Sequence, residues 1–452
     1  MQMPVTLPLW LLVLILLFAA VTFASHFLFP SVRWFFRKRM ERAVSKLNTR
    51  LRKPIEPFKL ARRHDTIQRL IYDPKVSEAV VRTANVEKVP EAVAFERARK
   101  YAREIVPSFS ASVYFGFGTR VARWLSNALY DIRLGEVDDS ALKVIDGEAT
   151  VVFVINHRSN MDYVLITHLV SRASTVAYAV GEWARVWPLS WLIRAMGAYF
   201  IRRGSKGQLY RAVLSRYVQM ASQAGVTQAF FPEGGLSLTG KPQKPKLGII
   251  SYIVQGWEPG KRDVVFVPVG LNYDRVPEDT VLVRAATTGE RKFRPSVWSV
   301  ITATPVVIWR AIRLKFTPFG TVAVGFGDPL VLSRYLDEGG DETIDGIGNE
   351  LMGRIAEVIP LVPVPLVSRA ILSGAETRAD ILAFVKNDLV EAKSRNVTTP
   401  RRSAEQVVED GLKLLAARKL IESTTAPVPS DTTRPVIEYY AATVAHHFES
   451  AA

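Results

Sequence analysis

Val151-Val-Phe-Val-Ile-Asn-His-Arg-Ser-Asn-Met-Asp162 is an apolar, largely β-branched run that stops at a short polar loop. The run has the length and composition of a buried strand, and the loop that follows carries an imidazole and, five residues on, a carboxylate. If the chain turns over Arg158–Asn160, Asp162 opens a helix and its side chain can return to His157. A histidine at a strand end can take a proton from a hydroxyl, and a carboxylate on its other ring nitrogen would fix the tautomer. Read on their own, the same two residues equally fit a packed histidine and a helix N-cap. The chain contains no cysteine, which removes thiolate chemistry, disulfides and cysteine zinc sites. The other histidines lack a comparable setting: His26 lies in an apolar run, His64 on a charged helix, His168 in an apolar helix, and His446 and His447 near the C-terminus.

Outward from this stretch, short β-rich runs alternate with helical ones. Strands are predicted at Thr150–Ile155, Ser174–Val180, Ala198–Ile201, Thr227–Phe231, Val264–Leu271 and Val322–Phe326. Helical periodicity fills Asn160–Arg172, Trp187–Met196 and Gln208–Gln223 between them. Alternation of this kind predicts an α/β fold with a central, mostly parallel sheet flanked by helices. The expected organisation is an N-terminal transmembrane anchor over 1–30, a basic juxtamembrane and helical domain over 31–147, an α/β domain over 148–340, and a C-terminal helical region over 341–452. The last 30 residues, rich in Thr, Pro and Ala, are expected to be mobile.

The anchor is read from Leu9–Phe29, which carries no Asp, Glu, Lys or Arg and has the roughly 20 residues a membrane span needs. Nine Lys and Arg residues follow between Arg33 and Lys53, which puts the body of the protein on the cytoplasmic face of the cell membrane. A net charge of +16 calls for an anionic partner. No zinc finger, RNA-binding aromatic signature or basic heptad is present, so membrane lipid is expected and nucleic acid is not. Residues 297–309, apolar and bracketed by basic residues, suit either a core helix or an insertion into the bilayer.

Three further strand ends carry polar groups. Gly197-Ala-Tyr-Phe-Ile-Arg-Arg-Gly-Ser-Lys206 ends in cations whose forks suit phosphate oxygens. Phe230-Phe-Pro-Glu-Gly-Gly235 runs a strand into a loop built for close backbone approach. Val267-Pro-Val-Gly-Leu-Asn-Tyr-Asp-Arg275 ends a fourth strand. No phosphate-cradling glycine loop of the nucleotide-binding kind occurs.

Together these four strand ends resemble the four blocks of the glycerolipid acyltransferases: His-x4-Asp at His157 and Asp162, Gly-x-x-Phe-Ile-Arg-Arg at Gly197–Arg203, Glu-Gly-Gly at Glu233–Gly235, and Val-Pro-Val at Val267–Val269. The Glu-Gly-Gly form and the Asn-Tyr-Asp-Arg sequence look like the membrane-bound bacterial glycerol-3-phosphate acyltransferase branch. The resemblance covers about Asp146–Leu372. It implies transfer of an acyl group from acyl-CoA or acyl carrier protein to the 1-hydroxyl of glycerol 3-phosphate, with no cofactor and no metal. In that reading His157 is the base and Asp162 orients it. Arg202, Arg203 and Lys206 would bind substrate through its phosphate, Glu233, Gly234 and Gly235 would shape the acceptor pocket, and Pro268 would fix the end of the fourth strand. The chain departs from the branch at Leu236 and Leu238, where two arginines are usual. That departure keeps two alternatives in view: another lipid acceptor such as a lysophospholipid, and a non-catalytic membrane-surface protein on the same fold.

Overall fold

The computed structural model describes residues 8–19, 21–22, 38, 42, 44–45, 47–49, 51, 53–135, 146–171, 174–181, 184–185, 187–202, 207–289, 319–425 and 427–449. The chain divides into two compact units, Met1–Ile55 and Glu56–Ala452. In the first unit residues 9–19 are helical, and all of them but Leu11 are exposed. No helix among the described residues is long and apolar enough to cross a membrane. The expected span Leu9–Phe29 lies partly outside the described residues, and residues 297–309 lie wholly outside them.

The second unit is built on one sheet. Its strands are β1 (Asp131–Leu134), β2 (Thr150–Ile155), β3 (Ala177–Val180), β4 (Tyr199–Phe200), β5 (Gln228–Phe230), β6 (Val264–Tyr273), β7 (Thr321–Phe326) and β8 (Leu330–Val331). Their order is β1-β7-β6-β2-β5-β3-β4, with β8 against β6. Strands β6, β2, β5, β3 and β4 run parallel, and β7 and β8 pair antiparallel to β6. The ends of β2, β4, β5 and β6 therefore share one edge, where ligands bind in open α/β sheets.

β6 is buried along its whole length, which its unbroken apolar sequence requires. Its side chains alternate between two cores. Val265, Val267, Val269 and Leu271 face one core with Leu366, Val407 and Ile437, and Val264 and Phe266 face another with Val76, Ala98, Val213 and Leu351. Each such side chain contributes about 1.5–3 kcal/mol through burial. Gly270 and Gly325 sit where the chain at Val358 crosses the sheet; a Cβ at either would lie within 2.5 Å of the Val358 carbonyl oxygen.

Several expectations are corrected here. The helices from Pro57 to Leu129 do not form a domain of their own: they cover the sheet, and β1, read as helical, pairs with β7 at its edge. The last 30 residues, expected to be mobile, include a packed helix among those described. Helix Arg434–Ala442 buries Ile437, Tyr439 and Tyr440. The Tyr440 hydroxyl donates to Asp279 (2.5 Å) and accepts from the Val276 amide (2.9 Å). The Thr- and Pro-rich composition belongs to the connection before that helix, and Pro435 suits its start. Finally, Pro268 does not mark a strand end, because β6 continues to Tyr273. Its missing N–H falls between the partners β8, which pairs at Val265–Phe266, and β7, which pairs from Val269 onward.

Candidate active site

Asn156 follows β2 and locks its end to β6. Its amide donates to the Leu271 carbonyl (2.9 Å), and its oxygen accepts from the Leu271 N–H (2.7 Å). The chain then turns, and helix Met161–Val170 begins. The turn brings Asp162 back to His157, with Nδ1 2.9 Å from Oδ2. That oxygen also accepts the amides of Arg158 (2.8 Å) and Ser159 (3.0 Å). The other carboxylate oxygen accepts the Tyr273 hydroxyl at 2.5 Å. With Oδ2 already accepting two N–H groups, the proton of the pair lies on Nδ1, and Nε2 keeps its lone pair.

The imidazole stacks on Phe231, ring centroids 3.9 Å apart, and meets the edge of Tyr163. His157 is 1% exposed and Asp162 is 0% exposed. The loop is pinned from outside by Glu278. This half-buried carboxylate accepts from the Ser159 hydroxyl (2.8 Å) and from the Asn160 side chain (3.0 Å) and amide (3.2 Å), and burial pushes its pKa up.

Glu233, after β5, faces the same turn. One oxygen accepts the His157 amide at 3.3 Å; the other has no hydrogen-bond partner among the described residues. Burial pushes the Glu233 carboxyl up to about 7, and the buried Arg158 guanidinium opposes that rise. Arg158 donates from Nη1 to the Gly240 carbonyl. A Cβ on Gly240 would strike the Tyr439 carbonyl oxygen, so the catalytic turn is braced by the C-terminal helix.

The raised Glu233 pKa sets a pH dependence. A carboxyl protonated more readily in the folded state than at its ordinary 4.5 stabilises the fold below that value. That contribution is lost as the pH climbs through about 7, and the shift bounds the loss at about 3 kcal/mol. Glu233→Gln should therefore gain in melting temperature relative to wild type as the pH rises from about 5 to 8. A difference that stays flat or shrinks over that range would show that Glu233 is ionised throughout.

The remaining expected site residues divide. Gly234 has φ +70, and the Lys246 side chain lies where its Cβ would be. Gly235 is half-buried beside it. Arg202 does not present its fork to a ligand: Nε and Nη2 grip Glu104 at 2.8 and 2.6 Å, between the rings of Tyr101 and Tyr210. The phosphate role expected of Arg202 is thus taken up by an internal carboxylate. Arg203 and Lys206 lie outside the described residues. Leu236 and Leu238 pack against the C-terminal core. Lys241, Lys244 and Lys246 are exposed on the same loop.

Sequence reasoning missed the roles of Tyr273, Arg158 and Glu278. Tyr273 was visible only as part of Asn-Tyr-Asp-Arg. Its partner is distant in sequence, and no local pattern announces such a bond.

A cavity of about 220 Å³ adjoins the turn, reaching Asn160 and Tyr163 at the site and lined by Val121, Leu125, Leu192 and Met196. Its walls are almost wholly apolar.

Residues 136–272 match the family model described as Acyltransferase, and residues 305–452 match that of the glycerol-3-phosphate acyltransferase C-terminal region. The chain is similar to a glycerol-3-phosphate acyltransferase of Shewanella loihica, 30% identical over 81% of this chain and 47% of the relative. It is also similar to one of Pseudomonas entomophila, 28% identical over 80% of this chain and 46% of the relative. The chain thus spans about half the length of these curated relatives. A solved 1-acyl-sn-glycerophosphate acyltransferase from Thermotoga maritima aligns with 62% of this chain and 92% of its own, at 20% identity and a TM-score of 0.33. By the two family-model matches and these relatives, the chain is similar to acyltransferases that carry a glycerol-3-phosphate acyltransferase C-terminal region.

Proposed function

We propose that the protein transfers a fatty acyl group from acyl-CoA or acyl carrier protein to the 1-hydroxyl of glycerol 3-phosphate. The observation that carries this reading is the buried His157–Asp162 pair at a sheet edge with an apolar cavity against it. Nε2 of His157 takes the proton of the acceptor hydroxyl as its oxygen attacks the thioester carbonyl. The imidazolium, held by Asp162, then protonates the departing thiolate. Because His157 is 1% exposed, the hydroxyl reaches it only when a covering side chain turns aside. The acyl chain takes the cavity lined by Val121, Leu192 and Met196, and no covalent enzyme intermediate or metal is required.

Strand spacing favours the β5 loop for the acceptor phosphate. β5 neighbours β2 and β4 lies three strands from it, about 14 Å at the usual spacing. A three-carbon acceptor placed on His157 therefore meets Lys246 across Gly234, at the end of the strand next to β2. The apolar Leu9–Phe29 run and the basic residues behind it support a location at the cell membrane with the catalytic unit on the cytoplasmic side.

An acceptor screen with labelled acyl-CoA and acyl carrier protein tests the reading. Glycerol 3-phosphate should be acylated, and Lys246→Met should raise its KM about tenfold, the worth of one charge-assisted contact. Activity confined to lysophospholipids would move the acceptor to the alternative that Leu236 and Leu238 raise. Absence of turnover with every donor would favour a non-catalytic surface protein.

A further inference from the structure

A second cavity, of about 240 Å³, lies at the opposite edge of the sheet. Its lining includes Ala177, Gly197 and Val226, which sit at or just before the starts of β3, β4 and β5. The catalytic turn is at the other ends of these parallel strands. The cavity also takes in Lys59, Arg62, Arg63, Thr66 and Ser108, and among the described residues no carboxylate lines it.

Lys59 is the anomaly. It is 9% exposed, and its Nζ has no hydrogen-bond partner among the described residues. The ammonium faces the rings of Phe109 (4.8 Å) and Tyr114 (5.7 Å), and its stem crosses Gly197, which has φ +88. Two aromatic faces compensate an ammonium only in part, about 2 kcal/mol for a desolvated contact. An unpaired buried ammonium costs several kcal/mol. Burial pulls the Lys59 pKa down to about 7, and a neighbouring anion would raise it again.

The other features of the cavity carry the same sign. Helix Arg63–Ile71 starts at it, and Arg62 provides no side-chain cap, which leaves the amides of its first turn open to an outside acceptor. Arg62 is exposed and unpaired among the described residues. Arg63 is held by the Val106 carbonyl at 2.9 Å, close enough to Arg103 for the two cations to repel. Arg194 adds a third cation to that group. The nearby Glu104 is already gripped by Arg185 and Arg202. Asp65, in the first turn of the helix, is exposed and does not line the cavity.

We propose that this cavity is a second anion site, separate from the catalytic edge, that takes a phosphate group between Lys59 and the N-terminus of helix Arg63–Ile71. The phosphate comes either free in solution or on a lipid headgroup. The apolar side of the cavity at Phe58, Val106 and Tyr217 leaves room for what the phosphate is attached to.

The test compares the full-length protein with Lys59→Met, which keeps the stem and removes the charge. One arm titrates inorganic phosphate and follows the melting temperature. The other measures binding to phosphatidylcholine vesicles with and without phosphatidic acid. In at least one arm Lys59→Met should weaken the phosphate-dependent response about tenfold or more, with kcat and the acceptor KM unchanged. A loss in the first arm identifies free phosphate, and a loss confined to the second identifies the headgroup. Arg62→Gln, at the exposed mouth, should show the same loss in weaker form, and it decides the matter if Lys59→Met does not fold. Wild-type responses from the variants in both arms would overturn the site. Neither binding arm requires acyl transfer, so the outcome does not depend on the proposed reaction.

Discussion

His157→Ala should lower the rate of acyl transfer by about 10²–10⁴-fold, the range that a positioned general base supplies. The effect should fall on kcat, because the histidine acts on a proton that moves only as the thioester is attacked. The fold should survive. Among the described residues the imidazole bonds to Asp162, and the carboxylate keeps the amides of Arg158 and Ser159 and the hydroxyl of Tyr273 without it. Loss of the stack on Phe231 removes about 0.5–1.5 kcal/mol, and the cavity left behind adds to this. The measurement is turnover of purified protein with acyl-CoA and with acyl carrier protein, beside a thermal melt. A folded variant with wild-type turnover would remove His157 as the base and, with it, the reading of the site.

Much of this was legible in the sequence, for a specific reason. β2 and β6 pack apolar side chains on both faces and are written largely in Val, Ile and Phe, so each shows as an apolar run that ends in polar residues. The helix Gln208–Gln223 was readable to the residue, because its period is long and Gly207 and Gly225 bracket it. His157 and Asp162 are five apart, close enough for local reasoning to join them. β1 was not legible: four residues, three of them exposed, leave no pattern, and only pairing with β7 makes them a strand. The packed C-terminal helix was hidden by the Thr- and Pro-rich connection before it. Arg202 was misread because the sequence shows a cation at a strand end and cannot show Glu104, 98 positions earlier, already in its fork. Tyr273 and Glu278 share that difficulty: they act on the catalytic turn from more than a hundred residues away.

Asp162→Asn separates the charge of this site from its shape. The carboxylate takes four donors, three on one oxygen and the Tyr273 hydroxyl on the other. An asparagine can put its oxygen in the first place and turn its amide toward Tyr273. The tyrosine hydroxyl can then rotate to accept, so the oxygens and the amide nitrogen each keep one hydrogen-bond partner. Stability should change little, about 1 kcal/mol or less. Catalysis should not be spared. The imidazolium formed as the hydroxyl proton leaves would face a neutral amide in a dry site, and the rate should fall at least about 10²-fold. Asp162→Ala is the contrasting case. It leaves the amides of Arg158 and Ser159 and the Tyr273 hydroxyl unpaired, at about 1–3 kcal/mol for each one that stays buried. It should therefore lose both rate and fold. If Asp162→Asn melts like wild type and turns over like wild type, the carboxylate only shapes the loop. If it unfolds as Asp162→Ala does, Tyr273 cannot reverse its bond, and the 2.5 Å contact is a fixed donor built for an anion.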